Sequence, residues 1–231
     1  MREKRIERIK NLISSYGLDA ILLKSPENIF YFTGFRGSEG ILVVTRGDLI
    51  LITDFRYITY AKEVTKGVII IERKKNQYPL SDIVTDYNLK RIGFESLNTS
   101  YALYLEWSEK LRGTEFFPLK NEVEEIRKRK DPEEIDRIRE AIRIAEEAFM
   151  DVSEHIRPGV SEKDLASELD FAMMRRGAEK PSFETIVASG ERSALPHAKP
   201  SDKVIREGDI VLIDFGAQYE GYCSDETRIV F

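Results

Sequence analysis

The chain has one cysteine, two histidines and four methionines among its 231 residues. A single cysteine, Cys223, excludes an intramolecular disulfide and points to a reducing, cytoplasmic setting. No apolar run approaches the ~18 residues of a membrane span. The charged start, Met1-Arg-Glu-Lys-Arg5, does not read as a secretory signal. Positive charge is not in excess: 36 Lys and Arg stand against 41 Asp and Glu, for a net charge of −5. The two signs are interspersed, so there is no electrostatic footprint for nucleic acid. Internal repeats and low-complexity tracts are absent too.

What remains describes a globular protein. The hydrophobic fraction is 42% and the charged fraction 33%, enough material for real cores. The length suits one large domain or two ordinary ones. Plentiful Glu, Lys, Arg and Ile with little Cys, Met and His is a composition compatible with a thermophile.

Residues 1–122 read as an α/β domain. Ile6, Ile9, Leu12, Ile13 and Tyr16 share one helical face, and Gly17 suits the stop after it. Short β-branched runs follow at Ala20–Leu23, Ile41–Val44, Leu49–Ile52 and Val68–Ile71, and Arg46-Gly47-Asp48 supplies a turn. Helices are expected at Tyr57–Val64 and Tyr101–Leu111. A charged stretch near Lys120–Lys130 marks the boundary, and residues 123–231 form the second domain. There Asp131, Pro132 and Glu134 have the pattern of a capped helix start. Ile135, Ile138, Ile142, Ala145, Phe149 and Val152 form its expected buried stripe. Ser161 caps a second helix with Leu165, Leu169 and Met173 inward and Gly177 at its end. Strands are expected near Thr185–Ala188 and Asp209–Phe215, with a returning strand through Phe231. Helices followed by a hairpin suggest an α+β unit. The final Thr227-Arg-Ile-Val-Phe231 still alternates, as if the chain were cut in mid-strand.

The chemistry concentrates in Asp214-Phe-Gly-Ala-Gln-Tyr-Glu-Gly-Tyr-Cys-Ser-Asp225. Read as a hairpin turning at Gln218–Gly221, it places Asp214 directly across from Asp225 on one face. Ile210 and Leu212 share that face, and Val211, Ile213 and Phe215 share the other, so the strand reads as buried on both sides. Paired carboxylates in apolar surroundings need compensation. A divalent cation, a distant Arg or Lys, or a proton shared by the two carboxyls would each supply it. Cys223 and Thr227 fall on the same face. Cys223 could be a ligand, but a small buried filler is the expected role. His197 lies in Leu195-Pro-His-Ala-Lys-Pro200, where two prolines stiffen the loop. It is either a hydrogen-bond donor to a carbonyl or oxyanion, or an idle surface residue. His155 is given no role. Gly34, Gly37 and Gly40 lack the spacing of a phosphate loop and read as a turn.

These residues resemble a known family. Pro181-Ser-Phe-Glu-Thr-Ile-Val-Ala-Ser-Gly190, Leu195-Pro-His-Ala198, Asp214-Phe-Gly-Ala and Gly221-Tyr-Cys-Ser-Asp225-Glu-Thr-Arg228 resemble the Xaa-Pro peptidases. Those are the aminopeptidase P and prolidase members of the pita-bread metallopeptidase superfamily. Tyr31-Phe-Thr-Gly-Phe35 and Thr53-Asp-Phe-Arg-Tyr57 look like that family's N-terminal domain. The resemblance implies an α/β creatinase/prolidase-like domain followed by a partial α+β pita-bread catalytic domain. It implies two divalent metal ions, manganese or cobalt, with Asp214 on one and Asp225 bridging both. Thr227 takes a supporting position beside the bridging Asp, and His197 steadies the tetrahedral intermediate without binding metal. Short proline-containing peptides are the implied partners, with a homodimer as the assembly. The family's remaining ligands, one His and two Glu, have no counterpart by Phe231. The chain alone is therefore expected to bind one ion weakly or none, and to be inactive. A non-catalytic pita-bread module that binds peptides or proteins is the alternative. A creatinase-like amidinohydrolase would not keep both Asp, and methionine aminopeptidases lack the first domain.

Overall fold

The computed structural model describes residues 2–231. Its contacts divide the chain into two units, after Arg129 rather than at the expected 122/123.

The first unit runs α1 (Arg2–Ser15), β1 (Ala20–Leu23), α2 (Pro26–Thr33), β2 (Ile41–Thr45), β3 (Leu49–Thr53), α3 (Ile58–Val64), β4 (Ile69–Glu72), α4 (Pro79–Asp86), β5 (Arg91–Glu95), α5 (Tyr101–Lys110), β6 (Glu115–Leu119) and α6 (Glu122–Lys128). Its six strands make one mixed sheet in the order β4-β3-β2-β1-β5-β6. The apolar runs found in the sequence are four of these strands. Every position of β1 and of β3 is buried, because packed side chains cover both faces. Ile9 and Ile13 of α1 cover one face, and Leu80, Ile83 and Trp107 cover the other. Sequence reasoning passed over α2, α4, α6, β5 and β6. The stretch read as a boundary is the short helix α6, whose Val123 is buried in the first core. That burial carries the first unit past residue 122.

The second unit runs α7 (Pro132–Ser153), α8 (Glu162–Arg175), β7 (Lys180–Pro181), β8 (Ile186–Ser189), β9 (Val211–Phe215), β10 (Ala217–Tyr219), β11 (Tyr222–Cys223) and β12 (Glu226–Val230). Asp131 closes the expected capping box with Glu134, and the Ser161 side chain caps α8. The stripe of α7 is rotated from the one expected. Ala141, Ile144, Ala145, Ala148 and Val152 are buried, whereas Ile135 is exposed. Small residues let α8 approach closely, so Ile135, Ile138 and Ile142 lie on the flanks and Ile144 takes the buried place. Leu165, Leu169 and Met173 face inward, and Phe149 stacks on Phe215 with centroids 5.5 Å apart.

The strands form two small antiparallel sheets, β12-β9-β8 and β11-β10-β7. One long ribbon runs through both. Its two halves meet at Gly216, where an added Cβ would lie 2.1 Å from the Ser224 carbonyl oxygen. Only glycine permits that approach.

Candidate metal centre

The ribbon's turn sets the site. Glu220 and Gly221 have φ of 44° and 81°, so these two residues form the tight turn, with Tyr219 opposite Tyr222. The turn is one residue later than the sequence suggested. Every cross-strand pair shifts with it. Asp214 faces Thr227 on β12 and Ile186 on β8, not Asp225. Asp225 is two residues before Thr227, one diagonal step along the ribbon. A shift of two keeps its face unchanged, because side chains alternate with period two. Burial agrees: Asp225 and Thr227 are exposed, and the side chain of Glu226 between them is only 9% exposed.

Asp214 and Asp225 accordingly line one cavity of about 400 Å³. Its other walls come from the segment Phe183–Ile186 and from His197 to Pro200. The Thr227 hydroxyl donates to Asp214 Oδ1 at 3.1 Å, and Oδ2 has no donor among the described residues. The threonine thus bonds Asp214 while lying on the same face as Asp225, two residues away. Neither aspartate makes an ion pair among the described residues. The nearby Lys199 is engaged with Glu184 at 3.0 Å. Of the three ways to compensate the carboxylates, the distant Arg or Lys is therefore not realised.

Two further expectations are corrected. Strand β9 is not buried on both faces: Val211, Ile213 and Phe215 are buried, but Leu212 and Asp214 are only half-buried and Ile210 is exposed. The helices cover one face and leave the other open at the cavity. Cys223 is exposed, not a core filler, and accepts a hydrogen bond from the Gln218 amide at 3.6 Å.

His197 is exposed on the cavity rim, with φ of 56°, a left-handed conformation costly for any residue with a Cβ. Its neighbour Ala198 is buried and anchors the loop. His155 hydrogen-bonds Glu168, away from this cavity. Behind the wall, Thr185 donates to Asp170 at 2.5 Å, and burial pushes the Asp170 carboxyl up from its ordinary value. That pair and the buried Glu162 carry no local sequence signal, because their partners come from distant segments.

The donor set suits a hard divalent ion: two carboxylates with free oxygens, on one face, in an open cavity. Among the described residues no third His, Cys, Asp or Glu joins them.

Comparison with known proteins agrees with this architecture. Residues 5–129 match the creatinase/prolidase N-terminal domain, and residues 136–231 match metallopeptidase family M24. This chain belongs to the creatinase/prolidase family. An uncharacterized peptidase of Bacillus subtilis is 43% identical over 98% of this chain and 64% of its own length. Among solved structures, an Xaa-Pro dipeptidase from Bacillus anthracis is 38% identical with a TM-score of 0.93. That match covers 100% of this chain and 65% of the other. An X-Pro aminopeptidase from Thermotoga maritima is 41% identical with a TM-score of 0.87, covering 93% and 62%. The chain thus spans less than two thirds of the length of these relatives. No helix among the described residues is long and apolar enough to cross a membrane.

Proposed function

We propose that this chain carries the front part of a dinuclear metallopeptidase that cleaves the bond before proline in short peptides. Aminopeptidase P and dipeptidase activity are both within this reading. The observation that carries it is the pair of unneutralised carboxylates, Asp214 and Asp225, sharing a cavity with His197. The names of the relatives support it at the level of the family.

In this reading Asp214 and Asp225 hold two divalent ions, manganese or cobalt. Such ions, when bound, supply an activated water and polarise the scissile carbonyl. The chain's own residues do the rest. Thr227 orients Asp214 through Oδ1 and leaves Oδ2 for an ion. His197 stands on the rim and donates an N–H to the oxygen that gains charge as the carbonyl becomes tetrahedral. Phe183 and Ile186 give the cavity an apolar wall, which suits a proline ring and strengthens the electrostatics by excluding water. A homodimer and a cytoplasmic location are further parts of the proposal.

Two carboxylates do not fill the five or six positions such ions take. The 231-residue chain alone is therefore expected to bind manganese weakly and to release no proline. Robust manganese-dependent proline release by the purified chain would refute this. The whole protein decides the function: it should hydrolyse a short Xaa-Pro peptide with manganese, and Asp214→Asn and Asp225→Asn should each abolish turnover. Tight peptide binding by the metal-loaded protein without hydrolysis would instead favour the binding-module alternative.

A further inference from the structure

We infer that Glu162 is the positioning residue for His197, because its carboxylate ties down both ends of the segment that carries the imidazole. The catalytic part of this inference rests on the reading of His197 as the oxyanion donor; the tether itself does not.

Glu162 is the first residue of α8 and is 0% exposed. Its Oε1 accepts from the Ser189 N–H at 2.7 Å and the Ser189 hydroxyl at 2.9 Å. Its Oε2 accepts from the Ser201 N–H at 3.1 Å, the Ser201 hydroxyl at 2.7 Å and Arg192 Nε at 3.1 Å. A carboxylate offers about four lone-pair sites, so it is saturated. Ser189 ends β8 and Ser201 lies just past Pro200. The two tethers therefore bracket the whole excursion that displays His197.

Arg192 adds a strut inside the bracket. While Nε sits on Glu162, Nη2 donates to the Lys199 carbonyl at 2.6 Å, two residues past the histidine. On the Ser189 side, Lys203 Nζ reaches the Ser189 hydroxyl at 2.7 Å and is itself held by Asp209 at 2.7 Å. Among the described residues the imidazole of His197 makes no hydrogen bond or ion pair of its own. The direction of its Cα–Cβ bond is therefore set by the backbone. That backbone has φ of 56° at His197, a conformation that persists when the surroundings over-determine it. Apolar packing could bury the loop but would not fix its direction. Five directed hydrogen bonds do.

The chain has only two histidines, which makes the test direct. Side-chain proton–carbon NMR of this chain should show two imidazole signals, and His155→Gln assigns them. Glu162→Gln keeps the volume but replaces one acceptor oxygen with an NH₂ that faces donors. It should shift or broaden the His197 signal and leave that of His155 in place. Ser201→Ala removes a single donor and should give a smaller change of the same kind, which keeps the test available if Glu162→Gln does not fold. An unchanged His197 signal in the folded variants overturns the inference.

Kinetics of the whole protein read the catalytic part. Glu162→Gln should lower kcat roughly 10- to 100-fold with KM within about twofold. The double variant with His197→Ala should be no slower than His197→Ala alone. Additive losses would overturn the positioning role. A moved His197 signal, with kcat unchanged in both Glu162→Gln and His197→Ala, would leave the tether standing and sink the oxyanion reading.

Discussion

The two units treat a buried glutamate in opposite ways. In the first, Glu95 at the end of β5 is 2% exposed and accepts from the Lys24 and Ser25 N–H groups and the Asn28 amide. Burial, with Glu124 nearby, pushes its carboxyl above the ordinary glutamate value despite these bonds. In the second, Glu162 is equally buried. Burial pushes its carboxyl up as well, but the bonds from Ser201 and Ser189 outweigh this and hold it below the ordinary value. Arg192 also pairs with it. Low solvent exposure does not by itself decide the charge of a carboxyl; the depth of packing around it and the number and charge of its donors act together. The sheets differ in parallel. The sheet of the first unit is sealed on both faces around β1 and β3, so its polar groups serve the fold. Strand β9 is sealed on one face only, and its open face carries Asp214 to a cavity.

The sharpest way to break this contrast is to change function without changing the fold. Asp225→Asn should lower kcat/KM of the whole protein by roughly 10³-fold or more. The melting temperature of the metal-free 231-residue chain should stay level or rise, since there the carboxylate is exposed and makes no ion pair among the described residues. A lost melting transition would mean that the open face is structural after all. Next comes the sealed sheet. Trp107 is 1% exposed and stacks on Phe116. Trp107→Ala should cost about 3–5 kcal/mol in urea unfolding, whereas Ile229→Ala, at a position 57% exposed on β12, should cost less than about 0.5.

The glutamates come third. At about pH 7, Glu162→Gln should cost about 2–3 kcal/mol and Glu95→Gln less, because only the former strips acceptors from a fully engaged charge. Their pH dependence should have opposite sign. The stabilisation from Glu162 is present above its unfolded pKa and is lost as pH falls through its depressed folded value. The folded pKa of Glu95 is raised instead. Its charged form is penalised above that value, and the penalty is relieved as pH falls through it. Urea melts from about pH 7 to pH 4 should therefore narrow the gap between wild type and Glu162→Gln. The same melts should move wild type upward relative to Glu95→Gln. Parallel shifts would remove the distinction. The smallest effect compares helix starts. Asp131→Ala at α7 and Ser25→Ala at α2 should each cost about 1 kcal/mol, since each side chain caps a helix N–H.

Much of the scaffold was legible because its signals are local. The all-apolar strands β1, β2 and β3 announce themselves, and Asp131, Ser161 and Gly17 mark helix ends through their own side-chain chemistry or conformational freedom. Strands β5 and β6 were passed over for equally local reasons. Arg91, Gly93 and Glu95 interrupt the apolar pattern of β5, although Gly93 is needed where an added Cβ would come within 2.8 Å of Leu18. Pro118 argues against a strand, yet β6 is an edge strand, where proline is tolerated. The exposure of Cys223 is not legible in the sequence, because alternation says which residues share a face but not whether anything covers it.

The sequence by itself determined that Asp214, Asp225 and Thr227 leave the same side of one ribbon. Side-chain alternation is a covalent property of an extended chain, and it survives any register shift of two. Tertiary structure alone decided that Thr227 and not Asp225 sits across from Asp214, since the turn conformation at Glu220 and Gly221 sets which residues pair. It alone decided which face of β9 the helices of this unit cover, because α7 and α8 pack on the side of Val211, Ile213 and Phe215. It also made Glu162 the anchor of the His197 loop, for a buried carboxylate takes its role from whichever donors the fold brings to it, and here they come from Ser189, Arg192 and Ser201, remote in the chain.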